Sequence, residues 1–321
     1  MTRRPGRFAV LAALVAGCLG PAPTLGPSRS HISAEPTASA RPASSSEPSP
    51  SPVPSATAPA TGSIEVFAVD EVAYVGVPAR FQLSSQDVLS QDHFGIASVT
   101  VGFGDATTAT TSGACGRPAA VDLTHRYHAA GTYVVRVDAA ELCGASVRID
   151  APTSRILILP APSAAQAAWP SCTTFQLSLT GRDRGSSLGN GGAIVTLRNV
   201  SASGCQLSGY PGMELVGTDG SLLPAHITRA TTGAYLFPAI PLGAVALSPG
   251  GTASFQIGYA ASPNGPQSEV PPDFGCFRTR SVRVILPGVK QYGTADLAFA
   301  PCGGLASVTP VFPGSVWISF Q

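Results

Sequence analysis

Apolar and polar positions alternate with a period of two through most of the chain after residue 63, and no stretch sustains the 3.6-residue period of an amphipathic helix. Residues 64–69, 79–83, 97–101 and 133–137 read as strands bounded by turn residues, and 156–159 closes this first series. A second series follows at 175–179, 193–198, 213–216, 253–259, 281–286, 296–300 and 316–320. Strands of this length and spacing predict an all-β protein made of two β-sandwiches in tandem. The first covers residues 63–160, 161–168 is a short linker, and Trp169 opens the second, larger one, 169–321. At about 100 and about 150 residues each is long enough to bury its own core.

The pattern fails before residue 63. Arg3, Arg4 and Arg7 form a basic start, and residues 8–16 are an apolar run too short for a membrane-spanning helix of about 20 residues. Small residues then lead to Cys18 in Val15-Ala16-Gly17-Cys18, which resembles the bacterial lipobox. That resemblance implies a lipoprotein signal peptide over 1–17, with Cys18 lipidated and anchoring the mature chain to the outer face of the membrane. The alternative is a small apolar cysteine in a secretory signal cut elsewhere. Arg3-Arg4 suggests twin-arginine export, but Pro5-Gly6 stands where that signal needs a polar residue followed by apolar ones. From Cys18 to residue 62 proline, serine, alanine and threonine dominate, as in Ser44-Ser45-Ser46-Glu47-Pro48-Ser49-Pro50. With almost nothing to bury, this segment is expected to be a disordered spacer reaching on the order of 100 Å.

Six cysteines remain for the folded part. Cys172 precedes one apolar run and Cys205 follows the next, with glycine-rich residues 187–192 between them; Cys276 and Cys302 flank the Pro287-Gly288 turn in the same way. Read as hairpins, these two spans predict the pairs Cys172–Cys205 and Cys276–Cys302 among the three connectivities open to four cysteines. Free thiols or a four-cysteine zinc site are the alternatives. Zinc clusters usually carry a close Cys-x-x-Cys pair, and none is present.

The order of Cys172, a strand ending in Asn199, Cys205-x-Leu207-x-Gly209-Tyr210-Pro211, Asp219-Gly220, Leu247-Ser248-Pro249-Gly250-Gly251, Cys276 and Cys302 resembles the actinobacterial domain-of-unknown-function family 4232 over about residues 170–312. The resemblance implies an exported β-sandwich, often found in lipoproteins, with no established activity. In the first sandwich, Phe103-Gly104-Asp105 after a strand, His125-Arg126-Tyr127, and Gly131-Thr132-Tyr133-Val134 resemble the polycystic-kidney-disease (PKD) repeat, an immunoglobulin-like module. Val101-Gly102 replaces its usual Trp-Asp, Ala106 its final glycine, and an insert carries Cys115. Within such a module Cys115 pairs with Cys143, and the implied role is a spacer or adhesion unit. Asp105 is expected to cap a turn, with His125 and Tyr127 on one strand face.

Composition narrows the functional classes. A net charge of +1 with 12% charged residues gives no electrostatic basis for nucleic-acid binding. No nucleophile elbow, His-Glu-x-x-His, phosphate loop or calcium loop occurs, so no catalytic residue, metal or cofactor is expected. The sequon at Asn199 reads as a strand end, and His226, the only histidine of the second sandwich, as a surface residue. The expected function is that of a non-catalytic binding or structural lipoprotein of the cell envelope. Its partner is a cell-wall glycan or an envelope protein, met through the loop 227–247, where Tyr235 and Phe237 are the candidate contacts unless they cap the core. The alternative is an accessory subunit or unrecognised hydrolase of cell-wall polymers, which would need Asp219, Asp273 or Asp296 gathered around a cleft with carboxylates about 5–10 Å apart.

Overall fold

A computed structural model describes residues 61–87, 95–113, 115, 120–149, 154–263 and 275–319, all within one compact unit of the chain. The export signal, Cys18, the spacer and Asp273 lie outside the described residues.

The described residues of the first sandwich form nine strands: β1 Thr61–Ala68, β2 Val72–Tyr74, β3 Pro78–Asp87, β4 Ile96–Gly102, β5 Thr108–Ser112, β6 Val121–Arg126, β7 Gly131–Leu142, β8 Ser146–Arg148 and β9 Ser154–Leu159. They form a four-stranded sheet, β6-β3-β1-β8, and a five-stranded sheet, β2-β9-β7-β4-β5. Alternate residues such as Ile64 and Val66, Phe81 and Leu83, and Val99 and Val101 point inward and make its core.

The described residues of the head that follows form eleven strands: β10 Leu177–Ser187, β11 Asn190–Asn199, β12 Cys205–Ser208, β13 Gly212–Gly217, β14 His226–Arg229, β15 Ala244–Leu247, β16 Thr252–Ala260, β17 Thr279–Ile285, β18 Tyr292–Asp296, β19 Leu305–Val308 and β20 Phe312–Pro313. One sheet runs β10-β11-β16-β19-β14 with β20 on β16; β13-β17-β18 and β12-β15 complete the architecture. Leu188 and Gly189, with φ of 49° and 80°, make the two-residue turn between β10 and β11, the backbone twist that a tight hairpin requires.

Three expected strands differ. Phe175 is 82% exposed and lies in a one-turn 3-10 helix, Thr174–Gln176, held by the Gln176 side chain accepting from the Thr173 amide at 2.9 Å. The strand partnering β17 starts at Tyr292 rather than 296, because the turn at Pro287-Gly288 is tight and sets Ile285 opposite Tyr292. Residues 314–319 form no strand: Trp317 and Ile318 instead fold across the back of the large sheet, where Gln256 Nε2 donates to the Ile318 carbonyl at 2.8 Å.

That back face explains the burial of β16. Ala253, Phe255, Ile257 and Tyr259 enter the head core, as alternation predicts, but Ser254 and Gln256 on the opposite face are buried as well. A separate apolar cluster covers it. Val72, Tyr74 and Leu159 from the first sandwich join Ile194, Ile240, Phe312 and Ile318 from the head. The two sandwiches therefore share a core. Tyr74 lies flat over Gly243, where a Cβ would come within 2.4 Å of its ring. Among the described residues its hydroxyl is buried without a hydrogen-bond partner, and burial pushes the phenol up to about 12. An unpaired buried hydroxyl costs about 1–3 kcal/mol. Tyr74→Phe should accordingly raise stability by about 1 kcal/mol, read as a higher denaturation midpoint of residues 61–321; a lower midpoint would show that the hydroxyl is bonded.

Candidate functional site

Residues 199–212 form the knot of the head. The Asn199 side chain, fully buried, donates to the carbonyls of Ser203 and Leu247 at 2.8 and 2.9 Å and accepts from the Ser201 amide and hydroxyl at 3.0 and 2.8 Å. Its backbone pairs with Gly250 and Gly251. The asparagine, the Leu247-Ser248-Pro249-Gly250-Gly251 turn and the start of β12 thus meet at one point. With every polar atom of its side chain engaged, Asn199 is an internal strut and not a glycan acceptor.

The six cysteines form the bridges Cys115–Cys143, Cys172–Cys205 and Cys276–Cys302. Contrary to the sequence prediction, the cysteines of the second do not face each other across one hairpin. Cys205 does not close β11; the chain reverses at Asn199, and Cys205 opens β12, which pairs with β15. Cys172 reaches it because residues 170–172 run parallel to β12, with the Gln206 amide donating to Pro170 and the Cys172 amide to Gln206 at 2.9 Å each. Trp169 seals the junction by lying on Gly204, where a Cβ would meet its ring at 2.7 Å.

In the first sandwich, Asp105 caps its turn by accepting from the Thr107 amide at 3.1 Å and holds His125 Nε2 at 2.7 Å. His125 stacks on Phe103 at 4.1 Å, and the buried Tyr127 hydroxyl donates to the Phe103 carbonyl at 3.1 Å. Burial raises the Asp105 carboxyl, but hydrogen bonds from Thr107 and His125 outweigh it and leave it below its ordinary value. All of these groups are spent on holding the turn against the strand.

The contacts expected in the loop 227–247 separate. Tyr235 is 48% exposed, whereas Phe237 is 0% exposed and stands edge-on to Trp317 at 5.5 Å. Phe237 therefore cannot touch a ligand. It plugs the back face of β16, which the first sandwich and the C-terminal segment also cover. The carboxylates of the hydrolase reading are no more favourable. Asp219 accepts from the Ser221 amide and hydroxyl at 3.0 and 2.7 Å as a turn cap, Asp296 is exposed at the end of β18, and Asp273 lies outside the described residues. Among the described residues no group of three His, Cys, Asp or Glu could hold a metal ion, and no helix is long and apolar enough to cross a membrane.

Among the clefts of the described residues, none foreseen in the sequence, two bear on function. One, of about 340 Å³, lies where the sandwiches meet and is lined by Asp70, Glu71, Arg80, Thr231, Thr232 and Pro238. Arg80 binds both Asp70 oxygens at 2.8 and 3.0 Å, and this holds the carboxyl below its ordinary value against the effect of burial, while burial raises Glu71. Locked on Arg80, Asp70 serves the junction. The other, of about 400 Å³, is a groove between the edge strands β13 and β14, lined by Tyr210, Gly212, Glu214, Arg229 and Ile285 among others. The Arg229 guanidinium sits 5.4 Å from the Tyr210 ring centre. On the adjoining sheet face Arg283 covers Tyr292 at 4.7 Å and approaches Glu214 at 3.6 Å. Tyr210 belongs to the Gly209-Tyr210-Pro211 motif on which the family resemblance rests; its neighbours come from strands far along the chain.

No curated protein matches this chain. Among solved structures it is similar to the Escherichia coli adhesin FdeC, at 9% identity over 74% of this chain and 64% of that one with a TM-score of 0.24. It is also similar to the Yersinia pseudotuberculosis adhesin InvE, at 13% identity over 68% of this chain and 67% of that one with a TM-score of 0.20. The chain thus spans just under two thirds of the length of FdeC. The head carries the family signal: residues 172–312 match the family described as a domain of unknown function, DUF4232.

Proposed function

We propose that this chain is an exported lipoprotein, anchored through Cys18 to the outer face of the membrane, that works as a non-catalytic binding and structural module of the cell envelope. The spacer lifts a PKD-like sandwich and, beyond it, the head, whose partner is a cell-wall glycan or an envelope protein; no nucleic acid is involved.

The observation that carries this reading is the apolar cluster shared by the two sandwiches. Tandem domains move relative to one another by default unless a sizeable apolar interface joins them. Here Tyr74, Leu159, Ile240, Phe312 and Ile318 make such an interface, so the sandwiches act as one stiff arm that holds the head at a fixed angle. Polar groups that resemble catalytic residues, Asp105 with His125 and Asp70 with Arg80, are consumed in turns and junctions.

Two measurements test the proposal together. The full chain should fractionate with membranes and its Cys18→Ser variant should not, and purified residues 63–321 should co-sediment with cell-wall sacculi or crosslink to an envelope protein. Recovery of the full chain in the cytosol, or membrane retention of Cys18→Ser, would contradict the anchor. Failure of both capture experiments would contradict the binding role.

A further inference from the structure

The groove between β13 and β14 continues onto an open sheet face. Gly212, Ile285 and Tyr292 lie in register across β13, β17 and β18, and Glu214, Arg283 and Thr294 form the next row on the same side. The alternate residues Met213, Leu215, Val282, Val284 and Ala295 point into the core, so both rows face outward. Strands lie about 4.8 Å apart, which puts Tyr292 about 10 Å from Gly212 along this surface. Tyr210 stands at one end of the path under Arg229, and Tyr292, 52% exposed, at the other beside Arg283. Between them Gly212 leaves the floor without a side chain.

This combination has a specific chemical use. A tyrosine ring offers an apolar face with a polar tip, which suits the C–H face of a sugar ring and its hydroxyl rim. Guanidinium and carboxylate groups beside it bind hydroxyls with strong, directional hydrogen bonds. The charges are unequal. Arg283 is matched by Glu214, whereas Arg229 forms no ion pair among the described residues. A planar guanidinium held over an aromatic ring without an acidic partner selects a carboxylate or phosphodiester oxygen pair.

We propose that this groove and face bind an anionic glycan, a run of sugar rings bearing carboxylate or phosphodiester groups, with Arg229, held in place over Tyr210, taking the anion and the half-exposed Tyr292 packing on a sugar ring. The proposal rests on the envelope-binding role above and names the ligand chemistry and the site.

Affinity electrophoresis of the full chain in mild detergent tests it, in gels containing polygalacturonate, a phosphomannan whose sugar rings carry phosphodiesters, or neutral dextran. One or both anionic polymers should retard the protein, and which one does so identifies the anion; dextran should not. Arg229→Ala and Tyr292→Ala, both at exposed positions, should each weaken that retardation about tenfold without changing the thermal midpoint. No retardation by either anionic polymer, equal retardation by dextran, or variants that bind like the parent would overturn the proposal. Sedimentation of the same variants with sacculi separates the two readings. Undiminished sedimentation leaves the envelope role standing and removes this site; no sedimentation or crosslinking by the parent protein removes the role as well.

Discussion

Phe237→Ala should destabilise the folded region by about 3–5 kcal/mol, the range for truncating a fully buried aromatic side chain. The ring fills the space between β16 and Trp317, and its Cζ would lie 3.3 Å from a Cβ placed on Gly258. Collapse into the gap is blocked, because β16 is held on both edges by β11 and β19 and the loop itself is pinned by reciprocal bonds between Ala234 and Phe237 at 2.9 and 3.1 Å. Trp317 would lose a neighbour, and it packs against the cluster that the first sandwich also joins. Tyr235→Ala, two residues away and half exposed, should shift stability by no more than about 0.5 kcal/mol. Urea unfolding of the two variants checks the contrast. Equal effects would mean that Phe237 is not a core residue.

The second large effect concerns the bridge Cys172–Cys205. Cys172→Ser with Cys205→Ser should cost about 3–4 kcal/mol, since the bond closes a loop of 33 residues in the unfolded chain and both sulfurs are fully buried. The bond clamps the entry of the head to the first residue of β12, beside the hydrogen bonds of Asn199, so its loss should loosen Trp169 from Gly204 as well. Reductant should lower the unfolding midpoint of the parent protein, and the part of that fall owed to this bridge should vanish in the double variant. A midpoint unmoved by the substitution would show that Asn199 and the Gln206 backbone bonds hold the clamp alone.

Much of this architecture was legible because β-strands write their inward face directly into the sequence. Residues 64–69 and 79–83 alternate as a half-buried sheet must, and the cysteine pairs follow from chain reversal whether the reversal is one hairpin or, as at Asn199, a hairpin followed by a turn. What the sequence hides is coverage by remote segments. Ser254 and Gln256 look like a solvent-facing row of β16, yet they are buried and donate to the carbonyls of Gly314 and Ile318, 60 and 62 residues further on; nothing local marks them as buried. The same difficulty made Phe237 look like a surface aromatic. The groove was not legible. Tyr210 stood out only within the family motif Gly209-Tyr210-Pro211, and Arg229, Arg283 and Tyr292 join it only through the pairing of distant strands.

The shared core is best tested by calorimetric unfolding of residues 61–321 alongside Gly243→Ala, whose new Cβ would press into the Tyr74 ring. If the two sandwiches form one stiff arm, the parent protein unfolds in a single cooperative transition and Gly243→Ala splits it into two. Two independent transitions in the parent, unmoved by the substitution, would contradict the account.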